Sequence, residues 1–244
     1  MTSLFDKLNL RPGERRLVVI AAGVVFVFLN LLLVFPHFGD LSMISFHATK
    51  SFHSLEGGML IFKEAGLKGV FDYLKNFGFK NEVEVVMPGT NAKMNEMQAL
   101  MGIQVLRYLD EIIQKRAKIT DVYRTRLKEV PGIGLVASLS PDIKYNHVYM
   151  PIEVDEQEFG MSRDGLYEKL KEYNVFSRRY FYPLICDYAC YRSVSINDPL
   201  TVARRVTDRI LTLPIYDGLQ LSDVEAICEI ILSLHRGRRH ESQL

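Results

Sequence analysis

SFHATKSFHSLEGG, residues 45–58, is the most informative segment of this chain. Apolar residues flank it at 43–46 and 59–62, and each run has the length of a short buried strand. Lys50 therefore lies in a polar loop between two predicted strands. A lysine held beside a sheet loses part of its hydration, which favours the neutral, nucleophilic amine that Schiff-base chemistry needs. Gly57 and Gly58 would let the backbone pass close to a flat ligand, although on the residues alone a solvated surface lysine is the commoner case.

The rest of the chain predicts alternating helices and strands. From residue 92 to about Val130, apolar residues recur three and four positions apart, the spacing of an amphipathic helix, and Pro131-Gly132 ends it. This length fits two helices or one long helix joining two domains. Further along, the pattern predicts a strand at 147–154, a helix at 163–173 capped by Ser162, a helix at 198–209, a strand at 210–213 and a last helix capped by Ser222 and ending near Leu234. The predicted fold class is therefore α/β.

Four motifs in this order resemble those of one enzyme family. Besides residues 45–58 they are PGTNAKMNEMQALMGIQVLRYLDEIIQKR at 88–116, RRYFYPL at 178–184 and ILTLPIY at 210–216. From about residue 39 to residue 234, the chain is similar to the carboxy-terminal part of the DegT/DnrJ/EryC1/StrS aminotransferases. These are pyridoxal-phosphate-dependent enzymes that aminate nucleotide-linked keto-sugars. The resemblance implies a fold-type-I aminotransferase fragment, made of the end of the large domain and the small carboxy-terminal α/β domain.

The resemblance implies roles for three residues around the cofactor, pyridoxal phosphate. Lys50 would hold the cofactor covalently and, once displaced by the substrate amine, would act as the base that moves a proton. Ser45 would hydrogen-bond the cofactor phosphate, with a loop-capping hydroxyl as the alternative. Asn91 would reach the phosphate of a neighbouring subunit's cofactor, which implies a homodimer, and it could also cap a helix beginning at Ala92.

The resemblance also implies residues that bind the substrates. His47 would line the sugar pocket, with simple packing as an equal alternative. Arg179, Tyr180 and Tyr182 would contact the nucleotide or the sugar, although a surface arginine beside packed aromatic rings has the same sequence pattern. The implied substrates are a nucleotide-linked 3-keto or 4-keto 6-deoxy sugar and an amino-acid donor such as glutamate.

A strongly apolar run, LVVIAAGVVFVFLNLLLVF at residues 17–35, precedes this region. As a helix, its 19 residues would cover about 28 Å, close to the thickness of the hydrocarbon core of a bilayer. Basic residues before the run and none directly after it favour a cytoplasmic amino terminus. We therefore expect a single-pass membrane protein, with a buried helix or a pair of strands as the alternative. The parent enzyme family is expected in the cytoplasm.

Composition argues against several other classes of protein. The formal net charge of +1 provides no field that would attract nucleic acid, and the basic stretch at 236–239 is too short to change this. The three cysteines are too few for a disulfide framework. Cys186, Cys190 and His147 could be imagined as a metal site, but no further motif completes it, so we expect no metal.

The amino-terminal part departs from the family pattern. In the family the cofactor lysine lies near the middle of the chain. The half before it supplies a phosphate-binding turn, an aromatic residue over the ring and an aspartate at the ring nitrogen. Residues 1–38 contain no recognisable counterpart, and we expect a junction near Phe38. The expected parts are a hydrophobic segment at 1–38, the end of the large domain with the interdomain helix at 39–130, the small domain at 131–234 and a basic tail at 235–244.

Three functions remain open from the sequence. The first is transamination of a nucleotide sugar. The second is a truncated or chimeric, membrane-anchored pseudoenzyme without activity, and the third is a soluble binding module with an accidental lysine motif. The four ordered motifs favour the first function, while the absence of a recognisable ring-nitrogen aspartate before Lys50 predicts little activity for this chain by itself.

Overall fold

The computed structural model describes residues 18–20, 39–136, 145–191, 193 and 198–241 of the chain. The chain divides into two compact units, Met1–Leu109 and Asp110–Leu244. This division falls within the long helix that the sequence predicts, whereas the sequence places the domain boundary at residue 130, where that helix ends. Each unit has its own sheet and its own apolar core.

The first unit contains an antiparallel sheet in the order β1-β3-β2, formed by β1 (Val18–Ile20), β2 (Leu41–Ser45) and β3 (Gly58–Phe62). β2 and β3 are the two strands predicted on either side of Lys50. In their register Ser45 lies opposite Gly58, so the loop between the strands starts and ends at paired residues. Met59 and Ile61 of β3 are 3% and 4% exposed and lie in the core, as expected for a strand with one face on a core, and Phe62 at the end of the strand is buried as well.

The apolar run at 17–35 lies mostly outside the described residues. Its residues Val18–Ile20 form β1 and pair with Met59–Ile61 of β3, so the predicted helix is wrong for these three residues. None of the helices that the structure describes is long and apolar enough to cross a membrane. The predicted span over the remaining residues of the run falls outside the described part of the chain.

Two helices follow the sheet, α1 (Leu67–Leu74) and α2 (Glu96–Leu127). α2 is one continuous helix of 32 residues, which decides between the two alternatives left open by the sequence. It begins later than predicted because Asn95 and Gln98 cap it reciprocally. Gln98 N donates to Asn95 Oδ1 and Asn95 N donates to Gln98 Oε1, each at 2.9 Å. The alternative role of Asn91 as the helix cap is therefore wrong.

The second unit contains an antiparallel sheet in the order β4-β5-β6. The strands are β4 (Ile133–Leu135), β5 (Met150–Val154) and β6 (Ile210–Leu213), and the helices are α3 (Glu156–Phe159), α4 (Arg163–Glu172), α5 (Thr201–Arg209) and α6 (Leu221–Glu241). Short 3₁₀ turns lie at Ile185–Asp187 and Ala189–Tyr191. The predicted α/β class is confirmed, and the predicted strands and helices of this part occur in the predicted order, whereas β4 and α3 were not predicted.

The helix starts of the second unit test two predicted caps. Ser162 Oγ accepts a hydrogen bond from Gly165 N at 3.1 Å, so the predicted cap of α4 is confirmed. The prediction for Ser222 is wrong, because α6 begins one residue before it. α6 also continues to Glu241, so most of the predicted basic tail is helical.

Apolar residues from α2, α4, α6 and the sheet form the core of the second unit. Its fully buried members include Tyr123, Leu127, Ile152, Leu166, Leu211, Cys228 and Ile231. Burial raises the pKa of the Cys228 thiol to about 11, so this thiol is protonated at neutral pH. The turn after α2 requires glycine at Gly132, where φ is +76° and a Cβ would lie 2.3 Å from Phe159 N.

Candidate active site

The lysine loop, residues 46–57, joins β2 to β3 and is closed at its base by backbone hydrogen bonds. Phe46 N donates to Gly57 O at 2.9 Å, and Ser54 N donates to Phe46 O at 3.0 Å. Phe46 is only 2% exposed, and it meets the Phe52 ring edge to face at a centroid distance of 4.8 Å. This aromatic pair anchors the loop to the core of the first unit, while residues 47–49 are exposed.

Lys50 lies at the end of a tight turn inside the lysine loop. Its amide N donates to His47 O at 2.9 Å, which fixes the backbone next to the side chain, and the residue is half-buried. Ser45, the last residue of β2, accepts a hydrogen bond on Oγ from His47 N at 3.3 Å. The alternative role of Ser45 as a loop-capping hydroxyl is therefore present. Because Oγ acts there as an acceptor, its own hydrogen is left for an acceptor such as a phosphate oxygen.

His47 is exposed, so simple packing does not explain it. Its Nδ1 accepts a hydrogen bond from Thr49 N at 3.3 Å and lies 3.0 Å from Thr49 Oγ1. These contacts assign the proton of the neutral ring to Nε2, which lies 3.4 Å from Glu56 Oε1. The imidazole is therefore held in one orientation at the surface of the loop, where a polar ligand can reach it.

The glycines at the end of the loop lie where the protein leaves no room for a Cβ. A Cβ at Gly57 would lie 2.6 Å from Ser54 Oγ and 3.1 Å from Met94 Sδ. At Gly58 it would lie 3.0 Å from the carbonyl oxygen of Ile44 in β2. The glycines thus serve the packing of the loop, and their role beside a flat ligand stays a prediction.

A mostly apolar cavity of about 570 Å³ also lies in the first unit. The sheet and α1 contribute to its walls, for example through Met43, Leu60 and Phe71. None of the predicted cofactor-binding or sugar-binding residues lines it. The cavity meets the lysine loop only at Gly57, its last residue, and Lys50 does not line it.

The RRYFYPL loop, residues 178–184, is fastened to the second unit at two points. Arg178 N donates to Thr212 O at 2.9 Å and Thr212 N donates to Arg178 O at 2.7 Å, a bridge to β6. Farther along, Thr207 Oγ1 donates to Phe181 O at 3.2 Å. Because α5 and β6 hold its backbone, the loop presents its side chains from a fixed base.

Arg179 lies between aromatic rings of the second unit. Its Cζ is 4.5 Å from the ring centroid of Tyr167 and 5.4 Å from that of Tyr182. Its Nη1 donates to Asp164 Oδ1 at 2.9 Å, and this hydrogen bond raises the pKa of the Arg179 guanidinium. A flat guanidinium can stack and donate at once, which a lysine cannot do. Tyr180 stacks instead on the ring that follows it, at a centroid distance of 4.9 Å.

Arg163 and Asp164, at the start of α4, belong to none of the four motifs, yet both contact this stack. Arg163 Cζ lies 4.7 Å from the ring centroid of Tyr182, and Asp164 pairs with Arg179. The only signal in the sequence is a pair of opposite charges directly after the Ser162 cap. Such a pair is usually a solvated helix start, and nothing local shows that Arg163 is buried.

The predicted site residues fall into two groups, one in each unit. Those of the first unit are Ser45, His47 and Lys50 around the lysine loop, with the exposed Asn91 before α2. Those of the second unit are Arg179, Tyr180 and Tyr182 in the RRYFYPL loop. Apart from Asn91, the members of each group lie within a few residues of one another in sequence, which is why short motifs are enough to find them.

No group of three or more His, Cys, Asp or Glu side chains that could hold a metal ion occurs in the part of the chain that the structure describes. His147 Nδ1 lies 3.0 Å from Thr120 Oγ1. Burial lowers the pKa of His147, while Asp121 acts in the opposite direction. Its environment is thus that of a partly buried, hydrogen-bonded ring.

The fold matches solved aminotransferase structures. A structure of DesI with its TDP-sugar product matches with a TM-score of 0.74 and 34% identity, over 84% of this chain and 52% of that chain. A putative PLP-dependent aminotransferase from Bacillus cereus matches with a TM-score of 0.70 and 28% identity, over 80% of this chain and 52% of that chain. The fold class is therefore that of the fold-type-I pyridoxal-phosphate-dependent aminotransferases.

The model of the DegT/DnrJ/EryC1/StrS aminotransferase family matches residues 35–232. The chain belongs to this family, whose cofactor is pyridoxal phosphate. It is 38% identical over 193 residues to the dTDP-4-amino-4,6-dideoxy-D-glucose transaminase of Shigella dysenteriae, covering 79% of this chain and 52% of the relative. It is 41% identical over 186 residues to the protein of the same name from Escherichia coli, covering 75% of this chain and 49% of that relative. The chain thus spans about half the length of these curated relatives, whose names give no support to the pseudoenzyme alternative.

The residues of the lysine loop fit this cofactor. Lys50 provides a primary amine on a backbone fixed by a hydrogen bond to His47. Ser45 provides a hydroxyl hydrogen about five residues away in sequence, at the end of the same strand. An amine and a hydroxyl donor on one rigid hairpin are the groups that an aldehyde with a phosphate arm requires.

Proposed function

We propose that this protein takes part in transamination of a nucleotide-linked keto-6-deoxy sugar, with an amino acid such as glutamate as the amine donor. The observation that carries the proposal is the lysine loop, in which a half-buried Lys50 lies on the same hydrogen-bonded hairpin as Ser45. The names of the two bacterial relatives support a dTDP-linked sugar as the substrate.

Bound pyridoxal phosphate supplies the electron sink that stabilises the carbanion formed when the amine donor loses its α-proton. The chain itself has to hold the cofactor and move protons. We assign the covalent hold to Lys50 Nζ, and the same amine, when free, would move the proton. Ser45 Oγ would donate its hydrogen to the cofactor phosphate, and the hydrogen bond from His47 N keeps this hydroxyl in place.

The substrate side of the proposal uses the RRYFYPL loop and His47. Tyr182 is 44% exposed and offers a ring for stacking against a base or a sugar. Arg179 is a fixed cation with a side chain 35% exposed, suited to the charge of a nucleotide diphosphate. Tyr180 extends the aromatic surface, and the exposed His47 provides a polar group for sugar hydroxyls.

We further propose that the active unit is a homodimer in which Asn91 contacts the partner's cofactor phosphate. Asn91 is exposed and lies outside the cap of α2, so its side-chain amide does not cap this helix. An exposed amide donor in an extended segment can reach a second copy of the chain.

The test of the proposed function replaces Lys50 by Ala and by Arg in the full-length protein. Both variants are expected to lose glutamate-dependent amination of a dTDP-linked keto-sugar, together with the visible absorbance of the bound cofactor. Arginine fails as well because its guanidinium stays protonated. Lys63→Ala is the matched control, because Lys63 is an exposed lysine directly after β3. Undiminished turnover in either Lys50 variant would show that the assignment is wrong.

A further inference from the structure

We propose that Arg163 is a positioning residue that holds Tyr182 and, through Asp164, Arg179 in place for the nucleotide part of the substrate. The inference deepens the proposed function and rests on it. Arg163 itself does not contact the substrate, because its side chain is only 2% exposed.

Arg163 is a buried cation with backbone oxygens as partners. Its Nη1 donates to Thr207 O and to Ile210 O, each at 3.0 Å. These carbonyls belong to the last turn of α5 and to the residue that follows it, where a helix leaves acceptors unpaired and favours positive charge. The guanidinium is therefore fixed in position and orientation by α5, and it provides a rigid support for neighbouring side chains.

Tyr182 packs against one face of the Arg163 guanidinium. Arg163 Cζ lies 4.7 Å from the ring centroid, within the range of a cation–π contact. The tyrosine is nevertheless 44% exposed, so part of the ring remains open to a ligand. Arg163 thus defines where the ring lies without covering its exposed part.

Asp164 links the Arg163 guanidinium to Arg179. Its Oδ1 lies 2.9 Å from Arg163 Nε and 2.9 Å from Arg179 Nη1. The contact with Arg163 Nε is an ion contact only, since that N–H is not aligned for a hydrogen bond. A single carboxylate oxygen thus joins the buried guanidinium to the exposed one. Movement of Arg163 would displace both side chains that we assign to the nucleotide.

The first experiment compares Arg163→Lys with the wild type in the full-length protein. Lysine keeps the charge but loses the flat stack and the paired donors. We expect the Kd for dTDP, measured by calorimetry, and the KM for the keto-sugar nucleotide to rise about fivefold, the scale of one cation–π contact. The KM for glutamate and kcat should stay within about twofold of the wild type. Amide exchange in peptides covering residues 179–184 should become faster.

Arg209→Lys is the matched control. Arg209 also lies at the end of α5, but its Nη1 donates to Asp155 Oδ2 at 2.7 Å, on the residue that caps α3. The Arg209→Lys variant should leave the Kd for dTDP and the amide exchange of residues 179–184 unchanged. Equal effects of the two variants, or faster exchange over the whole second unit with unchanged dTDP binding, would overturn the inference.

A second variant covers the case in which Arg163→Lys does not fold. Asp164→Asn leaves the buried guanidinium in place and removes the charge that joins it to Arg179. It should also weaken dTDP binding about threefold or more, and unchanged binding would overturn the inference. A wild-type protein that binds dTDP but aminates no sugar would contradict the proposed function alone. In that case, the Kd for dTDP of each variant relative to the wild type still decides the role of Arg163. Absence of dTDP binding by the wild type would contradict both.

Discussion

Asp164 Oδ1 accepts a hydrogen bond from Arg179 Nη1 at 2.9 Å, so the cation assigned to the nucleotide already has a protein partner. Such a pair fixes the position of the guanidinium while leaving part of it accessible. An exposed ion pair alone contributes little to stability. The value of this pair lies in orientation, because Arg179 also lies near the rings of Tyr167 and Tyr182.

The first prediction concerns the shape of this cation. Arg179→Lys keeps a positive charge near Asp164 but cannot stack flat between two rings, so the KM for the keto-sugar nucleotide should rise about fivefold to tenfold. The KM for glutamate should not change. Lys171→Arg is the control, because Lys171 contacts the ring of Tyr167 but not that of Tyr182. Steady-state kinetics with each substrate varied would check this, and an equal rise in both KM values would contradict it.

The second prediction concerns the start of α2. Asn95→Ala removes one half of the reciprocal cap with Gln98 and should lower the free energy of unfolding by about 1 kcal/mol. Asn91→Ala, four positions earlier, should change the stability by much less because Asn91 is not a cap. Urea denaturation followed by circular dichroism measures both values. Equal losses in the two variants would show that the helix start is misassigned.

The third prediction is a pH dependence of stability from His147. Burial lowers the pKa of His147 below its usual value of 6.5, so the unfolded chain binds the proton more readily than the folded one. The corresponding stability is fully present above about pH 6.5 and is lost as the pH falls through the lower folded pKa. His147→Gln keeps a polar group for Thr120 but does not titrate. Between about pH 7.5 and pH 5.5 the melting temperature of the wild type should therefore fall more than that of the variant. Parallel curves would exclude this contribution.

The fourth prediction tests the shared site. If Asn91 serves the partner's cofactor, a mixed dimer of Lys50→Ala and Asn91→Ala chains contains one intact site and one doubly altered site. Random mixing of the two inactive variants should then restore about a quarter of the wild-type activity. A mixture of Lys50→Ala and Lys50→Arg chains should restore none. If the first mixture stays inactive although mixed dimers form, Asn91 acts within its own chain. If the Asn91→Ala protein alone keeps its activity, Asn91 has no role at the cofactor.

The features that could be predicted from the sequence are those set by neighbours along the chain. Apolar runs on both sides of residues 47–57 are sufficient for the hairpin that carries Lys50, since burial of one face of a strand needs only alternate residues. The cap at Ser162 was likewise predictable because its partner, Gly165 N, is three residues away. The motifs therefore identify both candidate loops.

The features that could not be predicted depend on residues far apart in sequence. Arg163 has the local sequence pattern of a solvated helix start. Its burial depends on hydrogen bonds to Thr207 and Ile210, more than forty positions away. The start of α2 was misplaced for a different reason. Several polar residues precede the helix, and the reciprocal bonds between Asn95 and Gln98, rather than residue type, select the one that caps it.

The burial of Cys228 gives the second unit a chemical reporter of its own folded state. The thiol is 0% exposed and its pKa is raised to about 11, so an alkylating reagent near neutral pH has neither access nor a thiolate to attack. Cys190 is exposed and Cys186 is half-buried, so both serve as internal references for the same reagent. Mass spectrometry of the alkylated peptides would thus count native and unfolded molecules in one sample, without an introduced label.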